Sequence, residues 1–495
     1  ALLRWSERVA AERLGQEYAK VVRLTLFAHL ARLPLGEVSR RRSGTLSLRF
    51  VGDLGAIRAW VSQGLARLVS AGIVLVAVTA VLYGLDVRIG VAASACAMAG
   101  LAAMALLGPG LQRAHRRLRS RRARLSGDVA ERLPHAPELR LLGRIAREQR
   151  RLALRSADMI AAALQRQRRA ALLRAIPDLT QAFAVALALW IALDGRMATG
   201  DAAAALAALA LLILPLRDLS GIWDRHAAWQ TAEQRCVRLL ATPSLPDKGR
   251  RRRRVRSGTP RAAALSFEEA GDGVLDKVSA SVAPGRKVGI TGRNGAGKST
   301  LLLLAAGLEA PSCGRIRIDG IRSDRLGLSA RRELVFYQGP RTPILAGSLR
   351  RALTLGLRQR PADDVIIAAA ARCGLAESIA RLGGLDGRLS EAGRNLSAGE
   401  IRRVMLARGV LARAPLLLLD EPDDALDRHG RQLIPDLLHS LDSTVLLVSH
   451  DWSTLARMDE VWFVDGGRIV ERGSPEHLSR SGGPTARFFG LSQAC

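Results

Sequence analysis

Apolar and polar positions follow two different rhythms along the chain. In the first half the apolar residues come in long runs without charge. Leu68–Leu85 is 18 residues long and Ile89–Leu111 is 23, while Leu179–Leu193 and Ala202–Leu216 are 15 each. A helix needs roughly 18–20 such residues to cross a hydrocarbon core. The pattern therefore predicts four spans, at about 64–85, 89–111, 176–193 and 200–216. The shorter pair also suits Ala-rich buried helices of a soluble domain. Between the pairs, 112–174 keeps helical spacing, and no Gly or Pro interrupts it from Arg144 to Ile176. That predicts helices continuing beyond the membrane. In the second half the apolar runs shorten to strand length and alternate with helical ones, as at Arg286–Thr291, Leu301–Ala306, Leu416–Leu419 and Val445–Val448. The predicted fold class is multi-domain, an all-α transmembrane helical domain followed by an α/β domain.

Charge sharpens this division. The 495 residues carry 75 Lys+Arg against 45 Asp+Glu, a net charge of +30. Residues 1–260 hold +25 of it and residues 261–495 only +5. A balance this basic suggests either nucleic acid or an anionic membrane surface as partner. The links Asp86-Val87-Arg88 and Asp194–Asp201 are short, whereas 112–174 carries 18 Arg against five acids and 1–63 is also basic. All long basic segments thus fall on one side of a four-span arrangement, which places both chain ends in the cytoplasm. Segment 112–174 has no aromatic residue, although proteins that hold single-stranded nucleic acid stack bases on aromatic side chains. No nucleic-acid partner is expected. Trp60, Tyr83, Trp190 and Trp223 lie near span ends, where an aromatic belt would place them. Residues 242–260, with Pro243, Pro246, the run Arg250–Arg254 and Ser257-Gly258-Thr259-Pro260, read as an exposed linker. With 48 % apolar residues the chain is not disordered. Its five scattered Cys neither staple a small scaffold nor show metal-ligand spacing.

The second half contains a nucleotide site. The strand Arg286–Thr291 runs into Gly292-Arg293-Asn294-Gly295-Ala296-Gly297-Lys298-Ser299-Thr300 and then into an apolar helix. This is G-x-x-x-x-G-K-S in its strand–loop–helix context. The glycines let backbone N–H groups wrap phosphates, Lys298 adds positive charge, and the Ser299 hydroxyl can ligate Mg²⁺. Further on, a buried strand ends in Asp420-Glu421. Asp420 would serve as the second Mg²⁺ ligand, and Glu421 would polarise a water for attack on the γ-phosphate. Another strand ends in His450, placed to hydrogen-bond developing phosphate charge.

With these motifs in order, the chain resembles the ABC transporters of exporter type. Leu396-Ser397-Ala398-Gly399-Glu400 is similar to the ABC signature, Gln338 to the Q-loop glutamine, Ala425-Leu426-Asp427 to the D-loop and His450 to the switch histidine. In the first half, Ser43–Arg49, Asp53 and Ala56-Ile57-Arg58 resemble the segment around the first cytoplasmic loop, and Glu391-Ala392-Gly393 resembles the exporter-specific loop before the signature. The resemblance implies a fused permease and ATPase: a transmembrane domain over 1–241, a linker over 242–260 and an ATP-binding domain over 261–495. It implies ATP and Mg²⁺ as ligands, with Gln338 also near the metal. It implies a second half-transporter as partner, homo- or heterodimeric, with ATP held between the P-loop of one chain and residues 396–400 of the other. It further implies a multi-pass protein of the cytoplasmic (inner) membrane, its ATPase domain in the cytoplasm and its cargo unidentified. The family pattern has six spans, so the first helix and the outer part of the second are expected to be missing before Ala1. Some positions depart from the pattern. Glu269, two after Phe267, stands where an aromatic ring stacks on adenine. Ala398 replaces a signature Gly, Glu400 replaces Gln and adds negative charge, and Asp424 replaces Ser. The alternatives are a soluble ABC-type ATPase acting on nucleic acid and a catalytically weak half of a heterodimer.

Overall fold

The computed structural model describes residues 2–39, 49–193, 198–245, 261–340, 342, 344–357 and 359–491. Segment 43–48 of the loop resemblance, residues 194–197 and most of the linker, 246–260, lie outside the described residues. The chain forms two units, Ala1–Leu33 with Val38–Pro243, and Pro34–Glu37 with Ser244–Cys495.

The first unit is helical. Four helices, Leu54–Leu85, Val87–Leu141, Ile145–Leu193 and Thr199–Leu240, are long and apolar enough to cross a membrane. They contain the four spans expected from the uncharged runs. The Ile145–Leu193 helix has 49 residues, about 74 Å at 1.5 Å per residue, more than twice the thickness of a hydrocarbon core. The helices therefore continue well past any apolar layer, as the spacing of 112–174 predicts. The short link before Val87 works as a cap, with the Asp86 carboxylate accepting from the N–H of Arg88 at 2.6 Å and of Ile89 at 3.4 Å.

Small residues let these helices approach closely. A Cβ on Gly100 would lie 2.5 Å from the Thr180 hydroxyl, and one on Gly108 would lie 2.7 Å from the Trp223 ring. Asp53 is buried and pairs with Arg119 at 3.0 Å and Arg235 at 3.5 Å, which ties three helical segments together. Trp60 and Trp223 make ring contacts within the helical unit. Trp60 stacks on Trp229 at 5.4 Å and meets His226 at 4.9 Å, while Trp223 meets His226 at 6.5 Å. Trp190 is exposed, as a belt residue would be.

The second unit contains two main sheets. The strands are β1 (Leu265–Gly271), β2 (Val278–Val282), β3 (Lys287–Thr291), β4 (Cys313–Ile318), β5 (Ile321–Arg322), β6 (Val335–Gln338), β7 (Gly347–Ser348), β8 (Arg388–Leu389), β9 (Leu416–Asp420), β10 (Thr444–Val448), β11 (Glu460–Asp465) and β12 (Arg468–Gly473). One sheet is antiparallel, in the order β2-β1-β4-β5. The other has the order β12-β11-β3-β10-β9-β6 and is parallel except at β12. Every residue of β3, β9 and β10 is buried. Parallel strands covered on both faces need such unbroken apolar runs. Lys287 is the exception within β3, and its ammonium donates to the carbonyls of Gly285 (2.9 Å), Leu441 (2.8 Å) and Ser443 (2.5 Å).

Candidate nucleotide site

The register of the parallel sheet assembles the site. Gln338 pairs with Leu419, Val448 with Asp420, and Val448 with Ile290. The strand ends therefore deliver Gln338, Asp420-Glu421, Ser449-His450 and the loop after Thr291 to one edge. The carboxyl ends of strands in an open α/β sheet are where ligands bind.

The loop has the backbone that its glycines predict. Gly292 has φ +139°, and a Cβ there would sit 2.0 Å from the Val464 carbonyl oxygen. Gly297 has φ +104° and precedes the Lys298–Ala306 helix, which no side chain caps. This helix starts at Lys298 rather than at Leu301, so Ser299 and Thr300 lie in its first turn. Its leading N–H groups have no intrahelical partner. Arg293, Asn294 and Gly295 are exposed on the loop, while Ala296 is buried. The Lys298 ammonium donates to the carbonyls of Gly292 at 2.7 Å and Arg293 at 3.0 Å. Burial lowers its pKa, against the pull of Glu421 and Asp420.

Asp420 is 1 % exposed and accepts from the Ser299 hydroxyl at 3.2 Å. Burial raises its pKa to about 6; the Ser299 hydrogen bond opposes this and the Glu421 charge adds to it. The other Asp420 oxygen and the Gln338 amide are buried without a protein partner. Asp420, Gln338 and Ser299 together offer hard oxygen donors, which is the set Mg²⁺ takes alongside substrate phosphates. Among the described residues no three His, Cys, Asp or Glu cluster to hold a metal unaided. Glu421 has φ +50°, rare for a residue with a side chain. Its N–H bonds the Val448 carbonyl at 3.0 Å, and its carboxylate lies 3.5 Å from His450 Nε2. Both side chains are about one-third exposed, so they are open to solvent beside the buried Asp420.

The signature residues form a separate helix end. Leu396 is buried, and Ser397 caps the Ala398–Ala412 helix. No hydrogen bond or ion pair joins residues 396–400 to the P-loop among the described residues. Glu400 does not present an uncompensated charge, as the sequence suggested. Its carboxylate turns back to the Ser397 N–H at 2.7 Å, the Ser378 hydroxyl at 2.7 Å and Arg381 at 2.5 Å. Burial alone would raise its pKa, but these bonds outweigh burial and hold it at about 2. Asp424 is likewise compensated, by Arg402 at 3.5 Å. Asp427 caps the Arg428–His439 helix and pairs with Arg403 at 2.8 Å. Phe267 is 3 % exposed within the core, so its ring is unavailable for stacking, and Glu269 is exposed with φ +50°.

Some partners were not read from the sequence. Ser378 and Arg381 lie 22 and 19 residues before Glu400, and no local pattern marks them. Ser397 with Glu400 does follow the S-x-x-E capping-box pattern. Buried Asp423 accepts from the Ser449 hydroxyl beside the site, a pairing invisible before folding.

Comparisons with known proteins agree with this geometry. Residues 275–424 match the ABC transporter family, and residues 4–216 match the ABC transporter transmembrane region. The chain is 34 % identical over 319 residues to the mycobactin import ATP-binding/permease protein IrtB of Mycolicibacterium thermoresistibile, covering 62 % of this chain and 54 % of that protein. It is 34 % identical over 317 residues to the ATP-dependent lipid A-core flippase of Aromatoleum aromaticum, covering 63 % and 52 %. The match thus spans about half the length of these relatives. A solved structure of a bacterial Atm1-family ABC exporter with ATP bound superposes with a TM-score of 0.84 at 25 % identity, covering 98 % of this chain and 87 % of that one.

Proposed function

Because the chain belongs to the ABC transporter family, with a transmembrane region and an ATP-binding domain in one polypeptide, we propose that it hydrolyses ATP to move a cargo across a membrane. The observation that carries this is the convergence of the P-loop, Asp420, Glu421, Gln338 and His450 on one sheet edge. The N–H groups of loop 292–300 and Lys298 bind the phosphates. Ser299, Asp420 and Gln338 would hold Mg²⁺, which supplies charge neutralisation at the β- and γ-oxygens. Glu421 orients the attacking water and accepts its proton as the new P–O bond forms. The bond from γ-phosphorus to its bridging oxygen breaks, and ADP leaves with the electron pair. His450 donates to the γ-phosphate oxygens, a role supported by its Nε2 lying 3.5 Å from the Glu421 carboxylate.

In this reading the membrane domain covers 1–241, the linker 242–260 and the ATP-binding domain 261–495. The chain sits in the cytoplasmic membrane with its ATPase domain in the cytoplasm. It works with a second half-transporter, whose nucleotide meets residues 396–400. Glu400 is compensated within its own unit, which favours a working signature over a weak one. Fractionation and assay test the proposal: the chain should need detergent for extraction, and the purified protein should turn over MgATP. A chain found in the aqueous fraction that binds nucleic acid in preference to nucleotide would overturn it.

A further inference from the structure

The Ala398–Ala412 helix carries an acid, Glu400, in its first turn. The N-terminus of a helix attracts anions, and an acid there competes with any incoming anion for the same partial positive charge. The geometry around Glu400 removes much of that competition. One carboxylate oxygen accepts from the Ser397 N–H at 2.7 Å. The other accepts from the Ser378 hydroxyl at 2.7 Å and from Arg381 Nη2 at 2.5 Å. The Glu400 side chain is 17 % exposed and that of Arg381 is 52 % exposed, so the carboxylate is covered while the arginine still reaches solvent. Among the described residues, Glu400 is the only acid that Arg381 pairs with. The Glu400 N–H is taken by the Ser397 hydroxyl at 3.1 Å. The N–H groups of Ala398 and Gly399 remain as the free donors of this helix end.

We propose that Arg381, assisted by Ser378, is a positioning residue for this helix end: it draws the Glu400 carboxylate back and takes up its charge, leaving the Ala398 and Gly399 N–H groups open to the phosphate of the partner chain's nucleotide. The inference rests on the reading that residues 396–400 receive that nucleotide. It makes Arg381 and Glu400 a matched pair. An acid at this position needs the arginine, and a neutral amide does not.

The test uses the full chain in lipid and measures MgATP turnover for Arg381→Ala, Glu400→Gln, Arg381→Lys and the double variant Arg381→Ala/Glu400→Gln. Arg381→Ala should raise the KM for MgATP about tenfold with kcat changed by less than about twofold, the scale of one partly buried charge left uncompensated at a helix N-terminus near a bound anion. Glu400→Gln should restore the KM in the double variant, and Arg381→Lys should fall between wild type and Arg381→Ala. A merely structural arginine would leave the double variant as impaired as Arg381→Ala, and that outcome overturns the proposal. An unchanged KM in Arg381→Ala also overturns it. If Arg381→Ala does not fold, Arg381→Gln with and without Glu400→Gln decides by the same rescue. Loss of turnover in Glu421→Gln alongside a failed rescue would leave the functional reading standing and remove only this inference.

Discussion

The second unit contains two helix N-termini within sequence motifs, one after the P-loop and one in the stretch resembling the ABC signature, and they handle their free N–H groups in opposite ways. At Lys298–Ala306 no side chain caps the helix, no acid lies in the first turn, and Gly297 supplies a left-handed entry. At Ala398–Ala412, Ser397 and Glu400 form a capping box, and Arg381 then compensates the acid. The first end keeps all its donors for a ligand and gains little local stability from a cap. The second is stabilised by its own side chains and keeps fewer donors. A site that binds nucleotide by itself can be left uncapped, because the ligand completes the helix. If, as proposed, the second meets nucleotide only when another chain brings it, it must be stable meanwhile.

This contrast can be broken at either end. The largest effect should come from the P-loop: Lys298→Ala removes the buried cation and should lower MgATP turnover by at least about a hundredfold, the scale seen when one preorganised donor to a developing anion is deleted. Nucleotide binding and turnover measured together check this. At the signature, Ser397→Ala removes the cap and should cost about 1 kcal/mol of stability, read as a lower melting temperature with an intact P-loop. Ala substitution at Gly297 gives no comparable gain in helix stability, because φ is +104° and the new Cβ would lie 2.6 Å from Leu275.

The smallest effect depends on pH. The Glu400 carboxylate is held at about 2 in the folded chain, against about 4.3 for a free glutamate. A depressed folded value means that its contribution is complete above the unfolded value and is lost as pH falls from about 4.3 toward 2. Glu400→Gln should therefore flatten the melting temperature over that window and leave its slope above pH 5 unchanged. A slope that survives the substitution would place the acid sensitivity elsewhere.

Much of the site was legible because its chemistry depends on spacing along the chain. G-x-x-x-x-G-K-S needs a strand before it and a helix after it, and both are short-range features. Asp420 and His450 follow short apolar runs of strand length, and both runs are buried strands. The four long helices of the first unit were legible from uncharged runs taken together with the placement of charge between them. What stayed hidden depends on contacts between distant residues. Arg381 reaches Glu400 across 19 positions, so the charge at Glu400 looked uncompensated. Asp427 resembles a D-loop residue, yet its carboxylate serves as a helix cap and pairs with Arg403. Trp60 sits at a span end in sequence, and its ring packs on His226 and Trp229 of the Thr199–Leu240 helix, a contact between residues more than 160 positions apart.

In the proposed mechanism Glu421, 3.5 Å from His450 and adjacent to Asp420, is the base that activates water at the nucleotide site. The most direct test compares MgATP binding and steady-state turnover in wild type and Glu421→Gln, both as full chains in lipid. Binding should persist while turnover falls by about a hundredfold or more, so that ATP stays trapped on the protein. Turnover equal to wild type with unchanged binding would contradict it.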